Sequence, residues 1–302
     1  LDLKVARMFT GDWLKLPVWV FHGARSGPSL WLSAAIHGDE LNGMDIIRRV
    51  VAELDARELA GTVLAVPVVY VFGFVQGARY LPDRRDLNRS FPGSASGSLA
   101  SRLAHLVMRE VVSRCGYGID LHTGSNHRSN LAQVRADLSD PETRRIAFAF
   151  GAPLVFDAPT IGGSLRSVAR RRGIPILVFE GGEPLRFDPE VIEVGVRGVR
   201  RVLAALEMVD EQPEALGETV EASGRKWVRA SRSGIFYCEV EPGGRVEARQ
   251  VLGRIVDLLS DRQALVRAPF DAIVIGFTNN PLAHQGDALV HLARIAPLAA
   301  SA

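Results

Sequence analysis

The sequence has little of what marks several large protein classes. Cysteine is nearly absent: Cys115 and Cys238 are the only two in 302 residues. Two cysteines cannot build the disulfide framework of a small secreted scaffold, and they suit a reducing compartment. Lysine is scarce as well. Only Lys4, Lys15 and Lys226 are present, so arginine carries nearly all of the positive charge. The formal net charge of +2 is too small for nucleic acid or a membrane surface to be the main partner. No apolar run reaches the length that crosses a bilayer, and no signal-peptide pattern opens the sequence. A cytoplasmic protein is therefore expected. What remains is ordinary for a globular chain: 47% hydrophobic and 23% charged residues, with length enough for a large core and more than one domain.

Residues 1–210 alternate strand-like and helix-like segments. Leu30–Ile36, Thr62–Phe72, Tyr117–Leu121 and Pro175–Phe179 read as strands, rich in β-branched and apolar residues. Leu41–Leu54 repeats apolar residues at helical spacing, at Met44, Ile46, Ile47, Val50, Val51 and Leu54. Ser98–Val112, Pro141–Phe150, Gly163–Arg172 and Pro189–Leu206 are further helices, and Pro141 suits a first helical turn. Such alternation implies an α/β domain with a mixed, largely parallel sheet and helices on both faces. Sites in such sheets gather where loops leave the carboxyl ends of strands.

Composition changes after Met208. Asp210–Gly217, with Pro213 and several acidic residues, reads as a linker. Beyond it come short strands at Glu218–Ala222, Trp227–Ala230, Gly234–Val240, Gln250–Asp257, Ala264–Arg267, Ala272–Phe277 and Ala288–Leu292. Gly243-Gly244, Ser260-Asp261, Asn279-Asn280-Pro281 and Gly286-Asp287 supply turns. The expected second domain, residues 211–302, is small and all-β. Its segments Gly234-Ile235-Phe236, Val246–Leu252, Arg267–Asp271 and Gly286-Asp287 resemble half of a biotinyl/lipoyl-type barrel. No lysine follows Lys226, so the carrier lysine of that family is missing and a structural or pocket-wall role is expected.

Four segments carry chemistry. In His37-Gly38-Asp39-Glu40, a histidine and a glutamate three apart can reach one ion, and His122 of Asp120-Leu121-His122 can complete three ligands. Three protein ligands and one open position are what a catalytic zinc needs. Asp120, two before His122, can orient a ligand from behind. In Asp86–Gly93, Asn88 and Arg89 offer planar donors and a fixed charge that suit a carboxylate or a developing oxyanion. Glu180 emerges from a strand into Gly181-Gly182, a placement for a general base. Other polar groups carry weaker signals. Arg170-Arg171-Arg172 reads as a solvated helix end, and His127-Arg128 as a pocket edge or a plain loop. Arg135 is placed to meet substrate, His284 and His291 are read as structural, and Cys115 has no base nearby in sequence.

In their order and spacing, His37-Gly-Asp-Glu40, Asp86-Leu-Asn-Arg89 with Phe91-Pro-Gly, Asp120-Leu-His122-Thr and Glu180-Gly resemble the succinylglutamate desuccinylase/aspartoacylase family, a branch of the zinc-carboxypeptidase fold. The resemblance spans roughly residues 30–295. It implies one Zn2+ per chain held by His37, Glu40 and His122, with Glu180 activating water and passing the proton to the leaving amine. It implies that Arg79 and Arg89 polarise the scissile carbonyl and hold substrate, that Asn88 grips a substrate carboxylate, and that Arg166 binds a carboxylate as well. The spacings around Arg79 and Arg166 differ from the family pattern, and Asp39 stands where asparagine is common.

The expected activity is hydrolysis of the amide bond of an N-acyl amino acid or a related small, anionic N-acyl amine. The β domain offers a contact surface for a homo-oligomer. Two alternatives follow from the same residues: a zinc carboxypeptidase acting on short peptides, and a non-catalytic member that only binds a ligand.

Overall fold

A computed structural model gives the fold and describes residues 1–211, 213–214, 217–260 and 262–295. The first part of the chain runs β1 (Asp2–Arg7), β2 (Trp13–Pro17), β3 (Trp19–His22), β4 (Arg25–Ala34), α1 (Asn42–Ala52), β5 (Ala60–Val66), α2 (Val71–Gln76), α3 (Leu99–Glu110), β6 (Tyr117–His122), β7 (Arg128–Ala136), α4 (Pro141–Phe150), β8 (Leu154–Asp157), α5 (Leu165–Arg171), β9 (Ile176–Gly182) and α6 (Pro189–Ala205). Strands alone follow among the described residues: β10 (Val220–Ala222), β11 (Gly224–Arg229), β12 (Gly234–Cys238), β13 (Arg245–Val246), β14 (Val251–Val256), β15 (Gln263–Arg267), β16 (Ala272–Thr278), β17 (Leu282–Ala283) and β18 (Ala288–Arg294).

One large mixed sheet organises the molecule, in the order β11-β18-β16-β7-β9-β6-β4-β5-β3. Its centre, β5-β4-β6-β9, is parallel. Period-two alternation assigns the two faces. Leu30, Leu32 and Ala34 of β4, Ile119 and Leu121 of β6, and Leu177 and Phe179 of β9 point to one face. There they pack on α1, α4 and α6 through Ile46, Ile47, Phe150, Val199 and Leu203. The opposite face holds Trp31 and Ile176 under α3 and α5. Toward the carboxyl ends of the same strands this second face turns polar, with Ser33, Asp120, His122 and Glu180. Polar side chains at that end have to satisfy one another or a ligand.

The strands after residue 217 extend this sheet. β16 pairs antiparallel with β7, and β10 pairs parallel with β8. A second sheet, β15-β14-β12-β17, lies against the extension. Phe236, Leu252 and Ile255 meet Val274, Val290 and Leu292 between the two layers. Leu154, Phe156, Ala222, Ile275 and Ala293 form a smaller core where the two regions meet.

Several boundaries differ from the sequence reading. The expected strand Thr62–Phe72 ends at Val66, and Val71 already begins α2. Pro67 cannot donate to a ladder and restricts the residue before it, so the strand stops there. β4 begins earlier than expected, at Arg25, and ends at Ala34 because Ala35 takes a left-handed φ of 49°. β1 to β3 and β8 carry no strong pattern of their own. Parts of the expected linker Asp210–Gly217 and the Asp261 of the expected Ser260-Asp261 turn lie outside the described residues.

Candidate metal centre and active site

The loop that follows β4 delivers the first two candidate ligands. Its tightness depends on Gly38: a Cβ there would lie 1.9 Å from the carbonyl carbon of Gly73. With backbone so close, His37 and Glu40 fold inward and are buried. His122, at the end of β6, meets them. The ligating atoms of His37, Glu40 and His122 lie within 4.8 Å of one another, so this group could hold a metal ion.

The donor chemistry tests whether a cation fits. His37 Nδ1 lies 2.7 Å from Glu40 Oε1, and His122 Nδ1 lies 2.7 Å from Glu40 Oε2. The other ring nitrogens face carboxylates behind them: His37 Nε2 is 3.1 Å from Asp86 Oδ1 and His122 Nε2 is 2.8 Å from Asp120 Oδ2. A ring that donates Nε2–H to its aspartate has a bare Nδ1. Two bare nitrogens facing two carboxylate oxygens are four acceptors that need positive charge between them. A proton on each ring supplies it, and so does one divalent cation. Backing of a ligating histidine by a carboxylate is the usual arrangement around a bound metal. The residues therefore fit a metal ion.

The electrostatics agree. Burial works against charge on His37, but the Glu40 carboxylate and bonds to Asp86 and Glu40 outweigh it and raise its pKa. Burial likewise opposes charge on His122, and Asp120 and Glu40 raise its pKa well above the ordinary value. Burial would raise the Glu40 carboxyl, yet the two histidines hold it far below the usual range. Ser33 Oγ donates to Asp120 Oδ1 at 2.7 Å, and Ser33 and Asp120 are register partners across β4 and β6. Arg79 closes the group from the other side, with Nη1 3.1 Å from Glu40 Oε1 and Nη2 3.1 Å from Asp86 Oδ2.

Glu180 stands at the end of β9, directly beside His122 in the β6–β9 register. Its Oε1 accepts from Asn130 Nδ2 at 2.6 Å and from Arg135 Nη2 at 2.8 Å. Arg135, expected to meet substrate, thus pairs with Glu180. Asn88 Oδ1 caps α5 by accepting from the Leu165 N–H at 2.9 Å, and Arg89 is exposed with Nη1 on the Asn88 carbonyl. Arg166 lines the cavity and donates Nη2 to the Pro159 carbonyl at 2.8 Å.

The three candidate ligands, Arg79, Asn88, Arg89, Arg166 and Glu180 all border one open cavity of about 480 Å³. Its wall includes groups that the sequence reading left out or read as structural: Asn130, Arg225, Trp227 and His291. His291 stacks on Trp227 with ring centroids 4.4 Å apart, and the Arg128 guanidinium lies 4.8 Å from the Trp227 ring. Burial, and then Arg135 and Arg225, push the His291 pKa down to about 3, so this ring is neutral at neutral pH. Cys115 is buried away from the cavity, and burial pushes its thiol to about 12.

Fold and site together define an α/β protein with a metal-capable centre at the carboxyl ends of its parallel strands. The chain belongs to the succinylglutamate desuccinylase/aspartoacylase family, whose catalytic domain it matches over residues 26–206. It is 26% identical over 288 residues to N-alpha-acetyl-L-2,4-diaminobutyric acid deacetylase of Halomonas elongata, covering 89% of this chain and 83% of that protein. The crystal structure of a succinylglutamate desuccinylase/aspartoacylase from Rhodobacter sphaeroides aligns with a TM-score of 0.88 at 26% identity, over 98% of this chain and 94% of the other. The product-bound ectoine utilisation protein EutE (DoeB) from Ruegeria pomeroyi shares the fold, with a TM-score of 0.88 at 23% identity over 97% and 93% of the chains. No helix among the described residues is long and apolar enough to cross a membrane.

Proposed function

We propose that this chain is a zinc-dependent deacylase that hydrolyses the amide bond of an N-acyl amino acid or a related small N-acyl amine. The observation that supports it most is the meeting of His37, Glu40 and His122 with Glu180 in one arginine-lined cavity. The Halomonas elongata relative, a deacetylase of an N-acetylated amino acid, supports the same substrate class.

In this reading His37, Glu40 and His122 hold one zinc ion per chain, and three protein ligands leave a position open. When bound, the ion supplies Lewis acidity toward water and carbonyl oxygen. Glu180 Oε1 is held by Asn130 and Arg135, which leaves Oε2 to take the proton of the attacking water and hand it to the leaving nitrogen. Arg79 fixes the carboxylates of Glu40 and Asp86 and adds positive charge beside the carbonyl. Arg89 stabilises the oxyanion that develops there. Asn88 uses its Oδ1 on the α5 backbone, so its Nδ2 is the donor for a substrate carboxylate. Arg166 is a further carboxylate donor. We assign the chemistry to residues 1–210 and a wall of the cavity to residues 211–302. The two free cysteines suit a cytoplasmic setting.

The test is a panel of N-acetyl-aspartate, N-succinyl-glutamate and other acyl amino acids set against short peptides, with free amine as the readout. Release from acyl amino acids supports the deacylase. Release from peptides alone assigns the carboxypeptidase, and release from neither under zinc loading assigns a ligand-binding role.

A further inference from the structure

Asn130 stands between Glu180 and the C-terminal β region. Its strand, β7, pairs with β9, which carries Glu180, and at its start with β16. The register partner of Asn130 on β16 is Gly276. A Cβ on residue 276 would lie 2.4 Å from Asn130 Oδ1 and 2.2 Å from the Ser129 carbonyl oxygen. Glycine there lets the β16 backbone press directly on the amide. Asn130 is 6% exposed, and its Oδ1 is buried with no donor among the described residues. Its Nδ2 donates to Glu180 Oε1 at 2.6 Å. Turning the amide over would set its oxygen against a carboxylate oxygen, so the donor faces the base.

The end of β16 ties down the same two strands again. Phe277 pairs with Ser129 and Thr278 with Arg128. The Asn279 backbone N–H donates to the His127 carbonyl at 2.6 Å, just before β7. The Asn279 side-chain amide donates to the Glu183 carboxylate, just beyond β9. Residues 276–279 therefore span the strand that carries Asn130 and the exit of the strand that carries Glu180.

A buried acceptor without a donor costs free energy, so packing alone does not favour asparagine at this position. What the amide adds is a donor aimed at one oxygen of Glu180. The last torsion of a glutamate is broad, and a fixed donor narrows it. We propose that Asn130 is a positioning residue for the base, and that residues 276–279 set its place. The C-terminal β region then takes part in the reaction through Glu180, beyond forming a cavity wall. This inference rests on the deacylase reading. Arg135 holds the same oxygen by charge. Asn130, buried and clamped from both sides, supplies the direction. Direction matters because a displacement of about 1 Å at a reacting group can cost roughly 10²-fold in rate.

The experiment compares wild type, Asn130→Ala and Asn130→Asp as full chains loaded with zinc. Metal per chain, KM and kcat are read on the acyl amino acid that the wild type hydrolyses best. Asn130→Asp keeps the shape and removes the donor. Both variants are expected to keep their metal and a KM within about threefold, with kcat roughly 10–100-fold lower. Wild-type kcat in both overturns the proposal. Loss in Asn130→Ala with wild-type kcat in Asn130→Asp overturns it as well, because shape alone then suffices. A raised KM at unchanged kcat puts Asn130 on the substrate and overturns it too. Gly276→Ala should lower kcat in the same way, and wild-type kcat there overturns the part given to β16. Should that variant fail to fold, Asn279→Ala tests the same segment with the same contrary result. NMR of the asparagine-labelled chain reads the contact without turnover. The Asn130 Nδ2 signals are expected to shift in Glu180→Ala. Signals that stay in place overturn the contact, even if the Asn130 variants do not fold. No amine release by the wild type from any acyl amino acid defeats the deacylase reading, and the NMR result still decides the contact.

Discussion

His122 and Glu180 are register partners on the adjacent parallel strands β6 and β9. The proposed metal ligand and the proposed base are therefore set beside each other by the sheet, not by a flexible loop. Asp120 lies two residues earlier on the same strand and holds the His122 ring from behind at 2.8 Å. Functional groups on rigid elements keep their geometry better than groups on loops.

Glu180→Gln keeps the shape and the contacts of Oε1 but removes the proton acceptor. Turnover is expected to fall by roughly 10²–10⁴-fold, the range for a lost general base. Metal per chain, read by elemental analysis, should stay unchanged. Full turnover in this variant would remove Glu180 from its role.

His122→Ala deletes one of three candidate ligands and should abolish stoichiometric metal. Asp120→Asn leaves the ligand in place but weakens its orientation, and about a 10–100-fold loss of metal affinity is expected. A competitive chelator titration separates the two. One tightly held equivalent in His122→Ala contradicts the ligand set.

Gly38→Ala tests the loop. The added methyl meets backbone of Gly73, with no flexible side chain to give way. A loss of roughly 3 kcal/mol, typical of severe overpacking, is expected in denaturant unfolding, together with weaker metal binding. A variant with unchanged midpoint and metal affinity would show that the approach is loose.

Acid sensitivity has one identifiable source in His291. Its pKa is depressed to about 3 in the folded chain and is near 6.5 when exposed. The unfolded chain therefore binds the extra proton between those values, and stability falls as pH drops through that window. The slope from this residue is about 1.4 kcal/mol per pH unit. His291→Phe keeps a ring against Trp227 and should flatten the melting-temperature profile between pH 6 and 4. An unchanged profile would assign the acid loss elsewhere.

Much of the site was legible because its parts are short and local. His37 and Glu40 share one loop, and Asp120 and His122 alternate on one strand, so residue type and spacing were enough to bring them together. The Arg135–Glu180 pair was not legible. Between Asn130 and Gln133 the β7–β9 register shifts, which puts Asn130 and Arg135 on the same oxygen of Glu180. A bulge breaks the alternation on which strand reading depends. Arg225, Trp227 and His291 reach the cavity only because β16 pairs with β7 and carries β18 and β11 behind it. No local pattern announces a pairing across so many residues. Asp86 was visible in its motif, but its contact with His37 depends on the fold of two loops.

One zinc ion at His37, Glu40 and His122 is what we propose makes this chain a deacylase. Its most direct test is a titration of metal-depleted protein with zinc, reading amine release from an N-acyl amino acid at each step. Activity should rise linearly and saturate at one zinc per chain. Full activity before any zinc is added, or none at one equivalent bound, would contradict it.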